Sequence, residues 1–245
     1  MVGSLLKGAL VSFTAAGGAL GLPAAPNVIV FQINPESITH AWTEATAPEA
    51  SQDPKVKYSP LAVSGVPGES FTFTLMLDSD EQISDVASDP VGAGLALASG
   101  VYTRLSAIEL LQFPAPSASG GLVGQVTAAA SAAASGAGAT ANATVPVSEV
   151  PVVLFVWGPQ RIVPVRVTAL SVTERLFDVA LNPTHAEAQI TLKVLTPDEL
   201  AAVQGPMQGI ANMAYSYNQG LREARAALNA AESAAGILGM LPTPF

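Results

Sequence analysis

The sequence predicts a mainly β fold of the α+β class, namely an antiparallel β-barrel or sandwich with one flanking helix and a helical C-terminal tail. Short runs of β-branched and aromatic residues recur over the first 196 residues, and some alternate strictly between apolar and polar side chains. Apolar spacings of three and four residues are sustained only after that point. We therefore expect a β domain over residues 1–196 and a helical extension over residues 197–245.

Three strands are predicted in the N-terminal third of the chain. Residues 6–13 form an opening strand that a Gly-rich turn follows, and residues 27–33 form the second strand. The second strand ends at Asn34 because the next residue, Pro35, cannot continue a β-ladder. Residues 71–77 alternate between large apolar side chains and Thr or Met, which predicts a half-buried third strand.

A secretory signal is the alternative interpretation of the N-terminus. Lys7 precedes an apolar stretch that ends near Pro23, as in a signal peptide. Ser12 and the pair Gly17-Gly18 interrupt this stretch, however, so a strand followed by a turn fits the sequence better. The chain contains no run of about 18 uninterrupted apolar residues, and we expect no transmembrane helix.

The segments between these strands and the later ones are predicted to be mostly loops. Residues 44–67 contain four prolines and form a long exposed loop, and residues 78–90 form a second, acidic loop. Residues 101–112 are predicted to form the flanking helix, because their apolar side chains fall on one face. Residues 117–144 are a low-complexity insert of Ala, Gly, Ser and Thr, which we expect to be disordered or loop-like.

Three consecutive strands are predicted in the second half of the chain. Their ranges are 150–158, 161–174 and 186–195, and short turns join them. Because short turns cannot make the crossover that parallel strands require, these strands are expected to be antiparallel.

Two helices are predicted after the last strand. Thr196 as the cap and Pro197 at the first position begin a short helix, and a second helix runs from just after Pro206 to about residue 235. In the second helix, apolar or small side chains recur at alternating steps of three and four: Met207, Ile210, Ala214, Tyr217, Leu221, Ala224, Leu228 and Ala231. Such a seam packs either on the helix's own domain or on a neighbouring subunit, and the sequence favours neither.

Composition excludes several classes of function. The chain has 245 residues and a net charge of −9, so we expect no nucleic-acid partner. It has no cysteine and only two histidines, His40 and His185, so the usual hydrolase and zinc sites are improbable. The phosphate-loop, dinucleotide-binding and nucleophile-elbow motifs do not occur either. We therefore predict a protein that is not an enzyme, with no catalytic, cofactor-binding or metal-binding residues and no cofactor.

An acidic segment invites comparison with a calcium loop, which also begins with the pattern Asp-x-Asp. Its carboxylates are those of Asp78, Asp80, Asp85 and Asp89. Ile83 stands where an EF-hand loop requires glycine, so we interpret the segment as a solvated loop.

A histidine and four cations are the other candidate functional residues. His40, near Trp42, is interpreted as a loop histidine with a single hydrogen bond, because no partner for a catalytic imidazole is evident. The cations of the late strands are interpreted either as contacts for acidic partners or as charges that keep a sheet edge soluble. They are Arg161, Arg166, Arg175 and Lys193.

Several segments, in the same order, resemble the tube and baseplate-ring proteins of contractile injection systems, the phage-tail-like particles of bacteria. Residues 31–38 (FQINPESI) are close to the family's Phe-Gln-Phe-Asn-Pro-Glu-Ser signature. Residues 68–78 resemble its next strand, and residues 151–158 (PVVLFVWG) resemble its Pro-x-x-Leu-x-Phe-x-Trp-Gly strand. Residues 177–186 occupy the place of a Phe, a turn and an Arg-Ala pair.

Three departures from the family pattern limit the resemblance. His185 replaces the arginine of the Arg-Ala pair, and the Ala/Gly-rich insert is longer than in typical members. Many members of the baseplate branch end in a LysM module, whereas this chain has a helical tail there, so peptidoglycan contact is not implied. In this family Asn34 and Pro35 would fix a turn, and Trp157 would pack one end of the barrel.

The resemblance implies a tube-like fold and a structural function. We expect a subunit of a ring of six copies. This ring joins the inner tube to the central spike and contacts other baseplate proteins, and the subunit does not insert into a membrane. Assembly is expected in the cytoplasm, and the sequence leaves open whether particles leave the cell. The alternatives are a main inner-tube subunit and a secreted β-domain that binds a ligand.

Overall fold

The computed structural model describes residues 6–13, 26–45, 63, 65–84, 89–113, 150–203 and 207–240. Within these ranges the chain is an α+β fold with seven strands in one antiparallel sheet. The strands are β1 (Ala9–Phe13), β2 (Pro26–Val30), β3 (Ile38–Thr43), β4 (Gly68–Asp78), β5 (Val153–Val156), β6 (Ile162–Phe177) and β7 (Pro183–Val194). The helices are α1 (Ser79–Ser84), α2 (Pro90–Ser99), α3 (Tyr102–Glu109), α4 (Pro197–Ala202) and α5 (Met207–Met240).

The sheet curls so that its first and sixth strands approach each other. Its strand order is β2-β1-β5-β6-β7-β4-β3, and every pairing is antiparallel. Phe31, just after β2, lies 5.5 Å from Phe73 of β4 between ring centroids. The amide of Gln32 donates to the backbone oxygen of Asp78 at 2.6 Å and accepts from the backbone nitrogen of Asp78 at 3.0 Å. These contacts hold the two strands together by side chains rather than by a ladder.

In the described residues this curled sheet stays open. β2 and β3 lie at its two ends and do not pair with each other. The expectation of a closed barrel or a two-sheet sandwich is therefore corrected to a single open sheet that wraps around its core. An open sheet leaves an unpaired row of backbone groups on each end strand.

The predicted alternation of the third strand is confirmed in β4. Phe71, Phe73, Leu75 and Leu77 are buried, whereas Met76 is exposed. The rings of Phe71 and Phe73 pack on Phe155 of β5, which is fully buried in the core. Each such side chain stabilises the fold by about 1.5–3 kcal/mol through the apolar area it removes from water.

The segment after β4 is helical, which corrects the predicted loop over residues 78–90. Ser79–Ser84 form α1, and Asp89 begins α2 by accepting from the backbone nitrogen of Gly92 at 2.8 Å. Pro90 occupies the first turn of α2, where a missing backbone N–H has no cost. The sheet is thus flanked at this end by three helices instead of one.

The predicted helix over residues 101–112 is confirmed as α3 with a 3₁₀ turn, Leu110–Gln112, that continues it. Leu105, Ile108 and Leu111 are buried on its inner face, while Tyr102 is exposed. Gly100 joins α2 to α3 with a φ of +57°, and a Cβ there would lie 2.2 Å from the backbone oxygen of Pro183. Only glycine fits this junction.

The two C-terminal helices are confirmed. Thr196 and Glu199 form a capping box at the start of α4, in which each side chain bonds the other residue's backbone nitrogen. The first half of α5 packs on the outer face of β5, where Ile210 and Ala214 meet Leu154. The helix runs to residue 240 instead of ending near residue 235.

Three sequence predictions fall outside the described residues. They are the Gly-rich turn after β1, the low-complexity insert over residues 117–144, and residues 46–62 and 64 of the long loop.

Candidate interaction surfaces

A buried carboxylate, that of Glu69, organises the end of the sheet beneath α5. The Glu69 side chain is 5% exposed and points to the same side of β4 as Phe71. His40 Nε2 of β3 lies 2.8 Å from Glu69 Oε1, and Arg222 of α5 donates to the same oxygen. Strand β3, strand β4 and the helix are thereby joined at one atom.

Two arginines lie near this carboxylate. Arg161 lies 5.0 Å above the Phe71 ring, and Arg222 lies 4.5 Å above the Trp42 ring. Burial lowers the pKa of Arg161 from its usual value, and Glu69 partly offsets that effect. Such cation–π contacts with a shared carboxylate fix the helix on the sheet.

His40 corrects one sequence prediction and supports another. It lies on β3 rather than in a loop, and its ring stacks on Phe71 at 4.4 Å and 22°. Among the described residues its polar partner is Glu69, in agreement with the expected single hydrogen bond. Sequence reasoning missed Glu69, although a charged residue in phase with Phe71 and Phe73 was a usable signal.

A groove of about 270 Å³ adjoins this network. Trp42 and Val66 line one side of it, and Leu195, Tyr215 and Arg222 line the other. Trp42 is 49% exposed, so the rim of the groove is open to an incoming side chain.

The opposite end of the sheet carries an apolar tip, which we define as residues 176–182 in the turn between β6 and β7. Four large apolar side chains of the tip are exposed: Leu176 (64%), Phe177 (54%), Val179 (106%) and Leu181 (75%). Contiguous exposed apolar side chains are typical of surfaces that contact other molecules.

Hydrogen bonds hold the apolar tip in one shape. Asp178 Oδ1 accepts from the backbone nitrogens of Ala180 at 2.7 Å and Asn182 at 2.9 Å, while its Oδ2 accepts from Asn182 Nδ2 at 2.9 Å. These bonds, that of the Asn182 side chain foremost, hold the pKa of Asp178 below its ordinary value. Leu176 and Leu181 both adopt positive φ, 53° and 65°. The tip is preorganised in a strained backbone that the network around Asp178 maintains.

Helix α2 extends the apolar surface beside the tip. Asn182 Nδ2 reaches the backbone oxygen of Ala98 at 3.4 Å, so helix and turn are neighbours. α2 contains no charged residue, and Val91, Leu95 and Leu97 are exposed on it. Sequence reasoning missed this surface because it missed the helix.

The acidic residues considered for calcium have local structural roles. Asp78 Oδ1 accepts from the backbone nitrogen of Asp80 at 2.8 Å, and Asp78 Oδ2 lies 2.9 Å from His185 Nε2. Asp89 caps α2, and Asp85 lies outside the described residues. In the part of the chain that the structure describes, no three potential metal-binding side chains cluster.

The other cations of the late strands lie on exposed surface. Arg175 pairs with Glu187 across β6 and β7 at 3.3 Å, and Lys193 pairs with Glu199 at 2.5 Å. Arg166 is exposed and lies opposite Lys193 in the ladder.

Two of the segments that carry the family resemblance, residues 31–38 and 151–158, are in contact. Phe31 lies 6.5 Å from Phe155 and 6.3 Å from Trp157, measured between ring centroids. Asn34 ties the turn after β2 to the chain before β1, because its side chain accepts from Gly8 and donates to Leu6, each at 2.9 Å. The turn-fixing role predicted for Asn34 and the packing role predicted for Trp157 both agree with these contacts.

Comparison with known proteins adds no relative. No family model matches the chain, and no curated protein matches it. Among the described helices, none is both long and apolar enough to span a membrane alone, although α2 and the α3 segment, bent by 94°, meet that length and composition together.

Proposed function

We propose that this chain is a structural ring subunit of a contractile injection system baseplate, which joins the inner tube to the central spike and contacts other baseplate proteins. The observation that carries the proposal is the contact of Phe31 with Phe155 and Trp157, together with the turn that Asn34 fixes directly after Phe31 and Gln32. The two sequence strings to which they belong are weak signals separately. Their contact in the fold supports treating them as one pattern.

The exposed surfaces of the described chain favour assembly over bond chemistry. A ring requires heterologous interfaces, which use two different surfaces of each copy. The chain offers unpaired sheet edges at β2 and β3, exposed Val28 and Val30 on β2, and the apolar tip. In this function the protein transmits thrust and lines a channel by geometry, in a ring of six copies that assembles in the cytoplasm.

The C-terminal helix favours a ring over the main inner tube, which is the alternative within the same family. Its 34 residues are about 51 Å long; its first half packs on the sheet, whereas residues 223–233 are exposed. A tube of stacked identical copies has little room for such an appendage at every level. A ring that occurs once per particle has room for it.

Particle composition tests the proposal. Large particles from lysed native host are sedimented, and electron microscopy with quantitative peptide analysis gives the copies of this chain per sheath subunit. A few copies per sheathed particle support the ring, and abundance near that of the sheath makes the chain the tube. A soluble chain absent from all particles refutes both, and loss of the N-terminus in the intact mass then supports the secreted ligand-binding alternative.

A further inference from the structure

The described side chains in the distal half of α5 are exposed, although this half of the helix is poor in charge. Residues 223–233 are all exposed. Residues 223–240 include only three charged side chains, those of Glu223, Arg225 and Glu232. A helix that stays single in water is usually polar all round and supported by many charge pairs. The composition of this half is therefore typical of a helix that packs against another element.

An apolar stripe runs along α5 about a quarter-turn from the side that faces the sheet. It begins on the half that packs on the domain, where Met213 is 67% and Tyr217 48% exposed, and it continues to Leu228, which is 70% exposed. Ala224 and Ala231 fill the same stripe at steps of three and four residues. Alanine at these positions lets a second helix approach closely.

The charges beside this stripe are self-complementary. Arg225 and Glu232 are seven residues apart and border the same side of the stripe, while the other side is bordered by Gly220 and Ala227. In an antiparallel pair of identical helices the charged borders face each other, so Arg225 of each copy meets Glu232 of the other. A parallel pair would instead place the charged border against the small residues and gain no ion pair.

Arg225 remains able to make this contact. One of its terminal nitrogens donates to Gln160 Oε1 at 2.9 Å, in an exposed hydrogen bond. A guanidinium has five N–H donors, so most of them are left for a second acceptor.

We propose that α5 pairs in antiparallel orientation with α5 of a second copy of this chain, with Leu228 of each copy against Ala231 of the other. The ion pair between Arg225 and Glu232 then forms twice, and a two-fold axis between residues 229 and 230 relates the two pairs. Such an isologous contact joins two copies and closes, unlike the heterologous contacts of a ring. A polar ring of six has no two-fold axis between its copies, so this contact joins copies outside such a ring, and the inference is separate from the proposed function.

Cysteine crosslinking of the full chain tests the pairing, because the native chain contains no cysteine. Chains with Leu228→Cys and Ala231→Cys are mixed under mild oxidation and compared with each chain alone. The antiparallel pair predicts most disulfide dimer in the mixture. The matched control is a mixture of Ala226→Cys and Ala230→Cys chains, whose cysteines face away from the stripe, and it should give little dimer.

Charge reversal provides the second measurement. Arg225→Glu alone and Glu232→Arg alone should each lose disulfide dimer, and the double reversal should restore it, because the pairs reform with exchanged signs. Helical circular dichroism confirms that each variant remains folded. The proposal is overturned if the control mixture crosslinks equally well, if the double reversal fails to restore the dimer, or if Leu228→Cys chains crosslink best with themselves, as a parallel pair would.

Discussion

The two ends of the curled sheet differ in how many of their side chains find partners within the chain. Beneath α5, the buried Glu69 has its partners within the chain, and Arg222 and Trp42 close the contact. At the turn between β6 and β7, the apolar tip is rigid and yet exposes large side chains such as Val179. An ordered, exposed apolar surface is typical of sites that contact other molecules, whereas the charged end joins elements of the fold itself.

The largest expected effect is at the charged end. Glu69→Ala leaves His40, Arg161 and Arg222 without their shared carboxylate in a partly buried site. We expect a loss of about 2–3 kcal/mol in the free energy of unfolding, less than for a fully buried pair because Arg222 is 31% exposed. Chemical denaturation monitored by far-UV circular dichroism measures it.

The matched control is Glu187→Ala, which removes the exposed partner of Arg175. Exposed ion pairs contribute little, so this variant should change stability by no more than about 0.5 kcal/mol. Equal losses in the two variants would show that Glu69 does not hold α5 to the sheet.

A smaller effect is expected from Asn182→Ala at the apolar tip. The substitution removes the hydrogen bonds from Asn182 Nδ2 to Asp178 and to Ala98. We expect about 1 kcal/mol of destabilisation and faster amide exchange at residues 178–182. Gln189→Ala, on the exposed face of β7, is the control. An unchanged exchange rate in the tip would mean that this side chain does not order it.

Acid should loosen the same turn without unfolding the chain. The folded-state pKa of Asp178 is below the ordinary 3.8, so its contribution to stability is complete above that pH and is lost as the pH falls through the lower folded value. Amide chemical shifts of Ala180 and Asn182 should therefore titrate below pH 3.8. Asp178→Asn should abolish this step, and a titration that survives the substitution belongs to another group.

The smallest effect on stability is expected from Val179→Ser. The side chain is fully exposed, so the free energy of unfolding should change by less than about 0.5 kcal/mol. If the tip is an assembly surface, however, incorporation into particles should fall sharply. Thr168→Ser, on an exposed part of β6, is the control for incorporation. Normal incorporation of the Val179 variant would show that the tip does not contact the particle.

The sequence predicted those elements whose burial or helix start is visible in the pattern of their own side chains. The alternation around Phe71 and Phe73 reflects a strand with one buried face, and the box of Thr196 and Glu199 is a local signal for a helix start. Helix α2 was not predicted because Gly92 and Gly94 weaken helical propensity. Gly92 is nevertheless buried, and a Cβ there would lie 2.0 Å from Oδ2 of Asp89, the residue that caps the helix.

The candidate surfaces were less predictable than the fold. Val179 and Leu181 are ordinary apolar residues in the sequence, and only the β6–β7 register brings them to the end of a hairpin. Likewise, nothing in the sequence relates Glu69 to Arg222, which are far apart in the chain and meet because α5 crosses the end of the sheet.

Taken by itself, the sequence determined most of the strands, the antiparallel order of the late ones and the C-terminal helices, because periodicity and capping act over short distances. The tertiary structure alone decided that the sheet stays open in its described part, that Phe31 meets Trp157, and that one end is closed by charge while the other exposes apolar side chains. Those features depend on strand order and curvature, which join residues distant in the chain and leave no periodic trace in it.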